Sequence, residues 1–235
     1  MINSGDFLAI TRLDGLDEII MWGTGGHVGH STMAIWLNIT GERELYVMES
    51  QDGWYWPRHG IQMNKFSQWI EWAQNASFNV VALPLKEEYA KAFNETAVYE
   101  WFKTVEGLPY GYHNLLFGWI DTVNENFPPI LQAELFPIAF RLVEKVVPSA
   151  IKAVYGLPLN KRLGTTDLEI PELVAECAKR NLTINEVMTW VEQDAWEYPD
   201  GYSMVCSSFV AAAYKRAGIL DESIQATEMA PRDVT

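Results

Sequence analysis

Two cysteines and four histidines are the residues of this chain best suited to nucleophile and base chemistry. Cys206 lies in the run Met204-Val-Cys-Ser-Ser-Phe-Val-Ala-Ala-Ala-Tyr-Lys-Arg-Ala217. Those residues read as a helix with Ser203 as its N-cap and Gly218 as its stop. A cysteine about three residues inside a helix start meets unpaired amides and the positive end of the helix dipole. Both favour a thiolate over a thiol. The same amides can donate to an oxyanion formed on an attacked carbonyl. The competing account of a lone cysteine is a small buried hydrophobe. No local signal pairs Cys206 with Cys177, and two cysteines make no disulfide framework.

A thiolate nucleophile needs a base, usually histidine. The candidates are His27, His30, His59 and His113. His30 immediately precedes the strand-like Ser31-Thr-Met-Ala-Ile-Trp-Leu37, so scaffold fixes its ring while one edge stays open. His27 lies in the glycine-rich Gly25-Gly-His-Val-Gly29, is less constrained, and remains the alternative base. A structural role in the core is the bland account of either ring. The second imidazole nitrogen needs an acceptor. Alternation along residues 45–50 puts Tyr46, Met48 and Ser50 on one face and Leu45, Val47 and Glu49 on the other. A carboxylate sharing a face with Leu45 and Val47 needs a partner, and His30 stands one strand along. Otherwise Glu49 is a strand-end residue facing water. A zinc set of His27, His30 and either Glu49 or His59 has only weak spacing in its favour. No metal or cofactor is expected.

The elements that must position these groups are strands at 6–12, 31–37, 45–50 and 79–85. A Thr40-Gly41 turn closes a hairpin between the second and third, and Pro84 marks the fourth as an edge strand. Apolar residues at three-and-four spacing predict one helix over 87–105, ended by Gly107 and Pro109. Residues 113–200 read as a helical insertion. Within it, 128–156 is strongly apolar and broken by Pro137 and Pro148, which fits a kinked hairpin on the core or a lid over a site. Thr183 and Glu186 have capping-box spacing.

Five segments together resemble the circularly permuted branch of the NlpC/P60 (papain-like) superfamily. They are Gly5-Asp6-Phe-Leu, Gly29-His30-Ser-Thr-Met-Ala-Ile, Leu45-Tyr-Val-Met-Glu49-Ser, Gly107-Leu-Pro-Tyr110-Gly and Val205-Cys206-Ser-Ser-Phe-Val. In that branch the histidine strand comes first and the cysteine helix last. The resemblance covers roughly residues 4–112 and 200–219 and leaves the insertion unexplained. It implies an α+β fold over 1–235 as a single domain, with a small antiparallel barrel-like sheet packed on the nucleophile helix. It also implies a Cys206–His30–Glu49 site, with Tyr110 beside the cleft. Trp54 and Trp56, in the loop after Glu49, would wall that cleft or simply pack on the sheet.

The expected chemistry is hydrolysis of a peptide or amino-acyl amide through a thioester. The alternatives are lipid acyl transfer or thiol-esterase action on the same fold, and a non-catalytic binding module. The partner is then a small-molecule, peptide or acyl substrate; the oligomeric state is left open. A net charge of −14 repels phosphate backbones and anionic membrane surfaces. No apolar run reaches about 18 residues, so stable membrane insertion is not expected. Sequons at Asn38, Asn75, Asn94 and Asn181 lean toward a secretory or lysosomal lumen. The chain reaches its first strand almost without a leader, which suggests a trimmed form, or a cytoplasmic protein if complete as written.

Overall fold

The computed structural model describes residues 2–13, 16–52, 58–113, 152–198 and 202–234. Its frame is a five-stranded antiparallel sheet. The strands are β1 (Phe7–Thr11), β2 (His30–Asn38), β3 (Arg43–Gln51), β4 (Gly60–Lys65) and β5 (Asn79–Leu83), in the spatial order β4-β3-β2-β1-β5. Period-two alternation gives the sheet two apolar faces. Phe7, Met33, Ile35, Tyr46, Met48 and Ile61 point one way. They pack with Val98 and Phe102 of α4 (Glu95–Val105) and Phe209 and Val210 of α8 (Cys206–Ala217). Leu8, Ile10, Ala34 and Val47 point the other way, onto Trp69 and Ala73 of α2 (Phe66–Asn75). Burying each large apolar side chain contributes about 1.5–3 kcal/mol, so this double layer is what holds β2 and β3 in place.

The structure departs from the sequence expectations in three places. A helix α1 (Leu16–Thr24) stands between β1 and β2, and β4 and α2 occupy residues 60–75. The helix expected over 87–105 is two helices, α3 (Glu87–Ala92) and α4. Phe93 is extended between them, and the Asn94 side chain accepts the Ala97 amide as the cap of a new start. The last helix begins at Cys206, with Val205 rather than Ser203 as N-cap.

Of the insertion, residues 114–151 lie outside the described residues, and the hairpin expected over 128–156 falls largely among them. The described part comprises α5 (Leu157–Leu163), α6 (Ile170–Lys179) and α7 (Ile184–Met188), preceded by a π-turn at Lys152–Gly156. These helices share their own core of Tyr155, Leu159, Leu163, Leu173, Cys177 and Val187. Thr183 and Glu186 form the reciprocal capping box. Segment 190–198 ties this unit to the sheet side. Arg162 Nη1 meets Glu192 Oε2 at 2.6 Å, Tyr198 donates to the other Glu192 oxygen, and Lys215 of α8 meets Asp194 at 2.8 Å. No described helix is long and apolar enough to cross a membrane.

Candidate active site

The position of Cys206 is set by the residues just before it. Met204 forms a parallel bridge with Tyr110, and its carbonyl accepts from Ser50 Oγ at 2.6 Å and the Gly111 amide at 3.1 Å. A Cβ on Gly111 would stand 3.0 Å from Met204 backbone atoms, so the close approach needs a glycine there. These bonds keep the chain extended through Val205, which offers no side-chain cap. Helix α8 therefore opens on Cys206 itself, with its sulfur at the positive end of the dipole and uncapped first-turn amides beside it.

His30 is the first residue of β2, opposite Ile10 of β1, and is 1% exposed. Its Nε2 lies 3.0 Å from Oε2 of Glu49, which is completely buried on β3. The other Glu49 oxygen accepts from Trp69 Nε1 at 3.1 Å. With Nε2 engaged, Nδ1 is the ring nitrogen left for the Cys206 sulfur, which stands close enough that each group shifts the other's titration. The Ser31 amide also favours charge on the sulfur. Tyr110 Oη reaches it from the other side at 3.9 Å.

The electrostatics follow from this packing. Burial works against a charge on Cys206, which is 2% exposed. The adjacent His30 ring and its positive charge, with the Ser31 amide, outweigh burial and hold the thiol below its ordinary pKa. Burial likewise opposes a proton on His30, but the adjacent Cys206 sulfur with its charge and the bond to Glu49 push its pKa up to about 10. The pair therefore favours thiolate and imidazolium. Burial, then the Cys206 and Asp52 charges, keep Tyr110 protonated as a donor. Cys177 is the contrast: its burial pushes the thiol up.

A buried ionic cluster beside this site escaped the sequence reading. Arg12 Nη2 bonds Asp17 Oδ1 at 2.8 Å and Asp52 Oδ2 at 3.0 Å, while Arg12 Nε bonds Asp17 Oδ2 at 3.0 Å. A Cβ on Gly29 would come within 2.4 Å of Asp17, so the residue before His30 is kept small by the cluster. The available signal was an arginine ending an otherwise apolar strand.

The structure brings Cys206, His30, Glu49 and Tyr110 together. His27 is exposed in the turn before β2 and contributes only its carbonyl, to Thr11 Oγ1 at 2.8 Å; His59 is exposed as well. His113 stacks on Tyr198 with ring centroids 4.6 Å apart. Trp54 and Trp56 lie outside the described residues. Among the described residues no three His, Cys, Asp or Glu side chains are grouped as metal ligands. Searches of protein-family models, curated proteins and solved structures gave no match.

Proposed function

We propose that this protein is a thiol-dependent hydrolase that cleaves a peptide or amino-acyl amide bond on a permuted papain-like fold. The observation that carries the reading is the buried grouping of Cys206 with the hydrogen-bonded His30–Glu49 pair, in which sulfur and imidazole shift each other's titration. A structural cysteine needs no imidazolium, and a structural histidine needs no thiolate.

In this mechanism the Cys206 thiolate attacks the amide carbonyl carbon. The developing oxyanion takes hydrogen bonds from the first-turn amide of α8 and the Tyr110 hydroxyl. His30 passes its proton from Nδ1 to the departing amine as the C–N bond breaks, leaving a thioester. Neutral His30 then takes a proton from water, the hydroxide adds to the thioester carbonyl, and the carboxylic acid leaves as the thiolate and imidazolium re-form. Glu49 keeps Nε2–H engaged throughout, so Nδ1 always faces the reacting atoms.

The test is turnover of an amide substrate panel by Cys206→Ala and His30→Ala. Removing the nucleophile should cost about 10⁴-fold or more with the melting temperature preserved, and removing the base about 10²–10⁴-fold. Retained turnover in Cys206→Ala would reject the proposal.

A further inference from the structure

The end of β3 holds a buried amide with no use in the fold. Gln51 is the last residue of that strand and is wholly buried. Neither its Nε2 nor its Oε1 has a hydrogen-bond partner among the described residues. Its neighbours in the chain are engaged: Ser50 donates to the Met204 carbonyl, and Asp52 accepts from Arg12. A buried donor and a buried acceptor left unmet are costly, and a native fold rarely keeps them unless something arrives to meet them.

The place of Gln51 in the sheet ties it to the candidate site. Alternation along β3 puts it on the Glu49 face. The β2–β3 register pairs Thr32 with Glu49, and two residues further on it sets Gln51 opposite His30. Side chains paired in this way have Cβ atoms about 5 Å apart. On its other flank Gln51 faces Gly60 of β4, which presents no side chain. Cys206 and His30 are buried almost as deeply, so a molecule that brings a carbonyl to the sulfur has already reached the depth of Gln51.

We infer that Gln51 reads the main chain of a peptide substrate, Nε2 donating to the carbonyl and Oε1 accepting the N–H of one residue beside the scissile bond. Resting on the hydrolase reading above, this contact narrows its substrate to an extended peptide. In an extended chain the N–H and C=O of one residue point to the same side, as they do in an antiparallel ladder. They present together the two groups that a carboxamide needs. An ester or an acyl chain has no N–H to offer and would leave Oε1 unmet.

The test is a double-variant cycle on kcat/KM. Native protein and Gln51→Met are assayed with a set of acetyl-tetrapeptide coumarylamides, then with the best of these N-methylated at each residue in turn. Gln51→Met should lose about 10–100-fold, the worth of two buried hydrogen bonds. N-methylation at one residue should cost the native protein about tenfold or more and the variant less than about twofold. The melting temperature of Gln51→Met should hold or rise, because an unmet amide has left the interior. The pH midpoint of Cys206 labelling by iodoacetamide should stay at its native value. Gln51→Leu repeats the cycle with a second apolar side chain, should methionine fail to pack. Turnover by Gln51→Met within about twofold of native overturns the inference, as do equal N-methylation penalties in the two proteins. A shifted labelling midpoint would show Gln51 acting through His30 and overturns it too. If the native protein cleaves none of the peptides, the hydrolase reading falls and takes this contact with it.

Discussion

Trp69 donates its indole hydrogen to the Glu49 oxygen that His30 leaves free, so both oxygens of one buried carboxylate are fixed from opposite sides. Neither residue can shift without disturbing the imidazole. Trp69→Phe removes the donor and leaves part of the buried indole's volume empty. It should lower stability by about 1–3 kcal/mol in urea denaturation. Glu49→Gln removes the negative charge that favours the imidazolium. It should lower kcat on an amide substrate more than Trp69→Phe does; equal effects would show that Glu49 acts by packing alone.

The pH dependence follows from opposite shifts in one pair. Cys206 is held below the ordinary thiol pKa and His30 is raised to about 10. Iodoacetamide labelling of Cys206 should therefore rise at lower pH than labelling of an ordinary thiol, and His30→Ala should move the midpoint upward. Turnover needs the imidazolium as proton donor and should fall as pH climbs through about 10. The stability sign is that of a group whose folded pKa lies above its unfolded value of 6.5. Its contribution is fully present below 6.5 and is lost as pH rises through about 10. The stability gap between native protein and His30→Gln should narrow over that window. A gap that widens would contradict the assignment.

The Arg12 cluster makes a separate prediction. Arg12→Met leaves Asp17 and Asp52 buried without their guanidinium, and should cost about 3–5 kcal/mol in chemical denaturation. Asp17→Asn tests the cluster's reach into the site, because the Asp17 charge opposes the Cys206 thiolate. That variant should move the Cys206 labelling midpoint to lower pH. A purely structural cluster would leave the midpoint alone.

The Arg162–Glu192 pair joins the helical unit to the segment packed on α8. Arg162→Met should strip a fully buried glutamate of its charge partner and cost about 3–5 kcal/mol, whereas the double variant with Glu192→Met should recover much of the loss. Limited proteolysis is the readout, with cleavage near 190–198 accelerated in the single variant and restored toward native in the double.

What was legible in the sequence were features written in local periodicity. The 45–50 alternation placed Glu49 with Leu45 and Val47, and that is the face α2 covers. The antiparallel pairing of β2 with β3 followed from the turn between two alternating runs. The Thr183–Glu186 box was readable because both partners lie within one turn. What failed was decided at a distance. Helix α8 starts at Cys206 because Tyr110, Gly111 and Ser50 hold Met204 extended, and none of them is near it in sequence. The break at Asn94 hid inside continuous three-and-four spacing, where a polar cap resembles an ordinary solvent-facing residue. The Arg12 cluster depends on Asp52, 40 residues further along the chain, and no local pattern links the two.

Helix α8 also closes the fold at its far end, where the Tyr214 hydroxyl donates to the Gly5 carbonyl at 2.9 Å. Segments some two hundred residues apart must meet before the sulfur acquires its neighbours. Such long-range closure is slow compared with local helix formation. A chain caught before that step carries an ordinary thiol, and one past it a thiol of lowered pKa, so the sulfur's reactivity clocks the completion of folding.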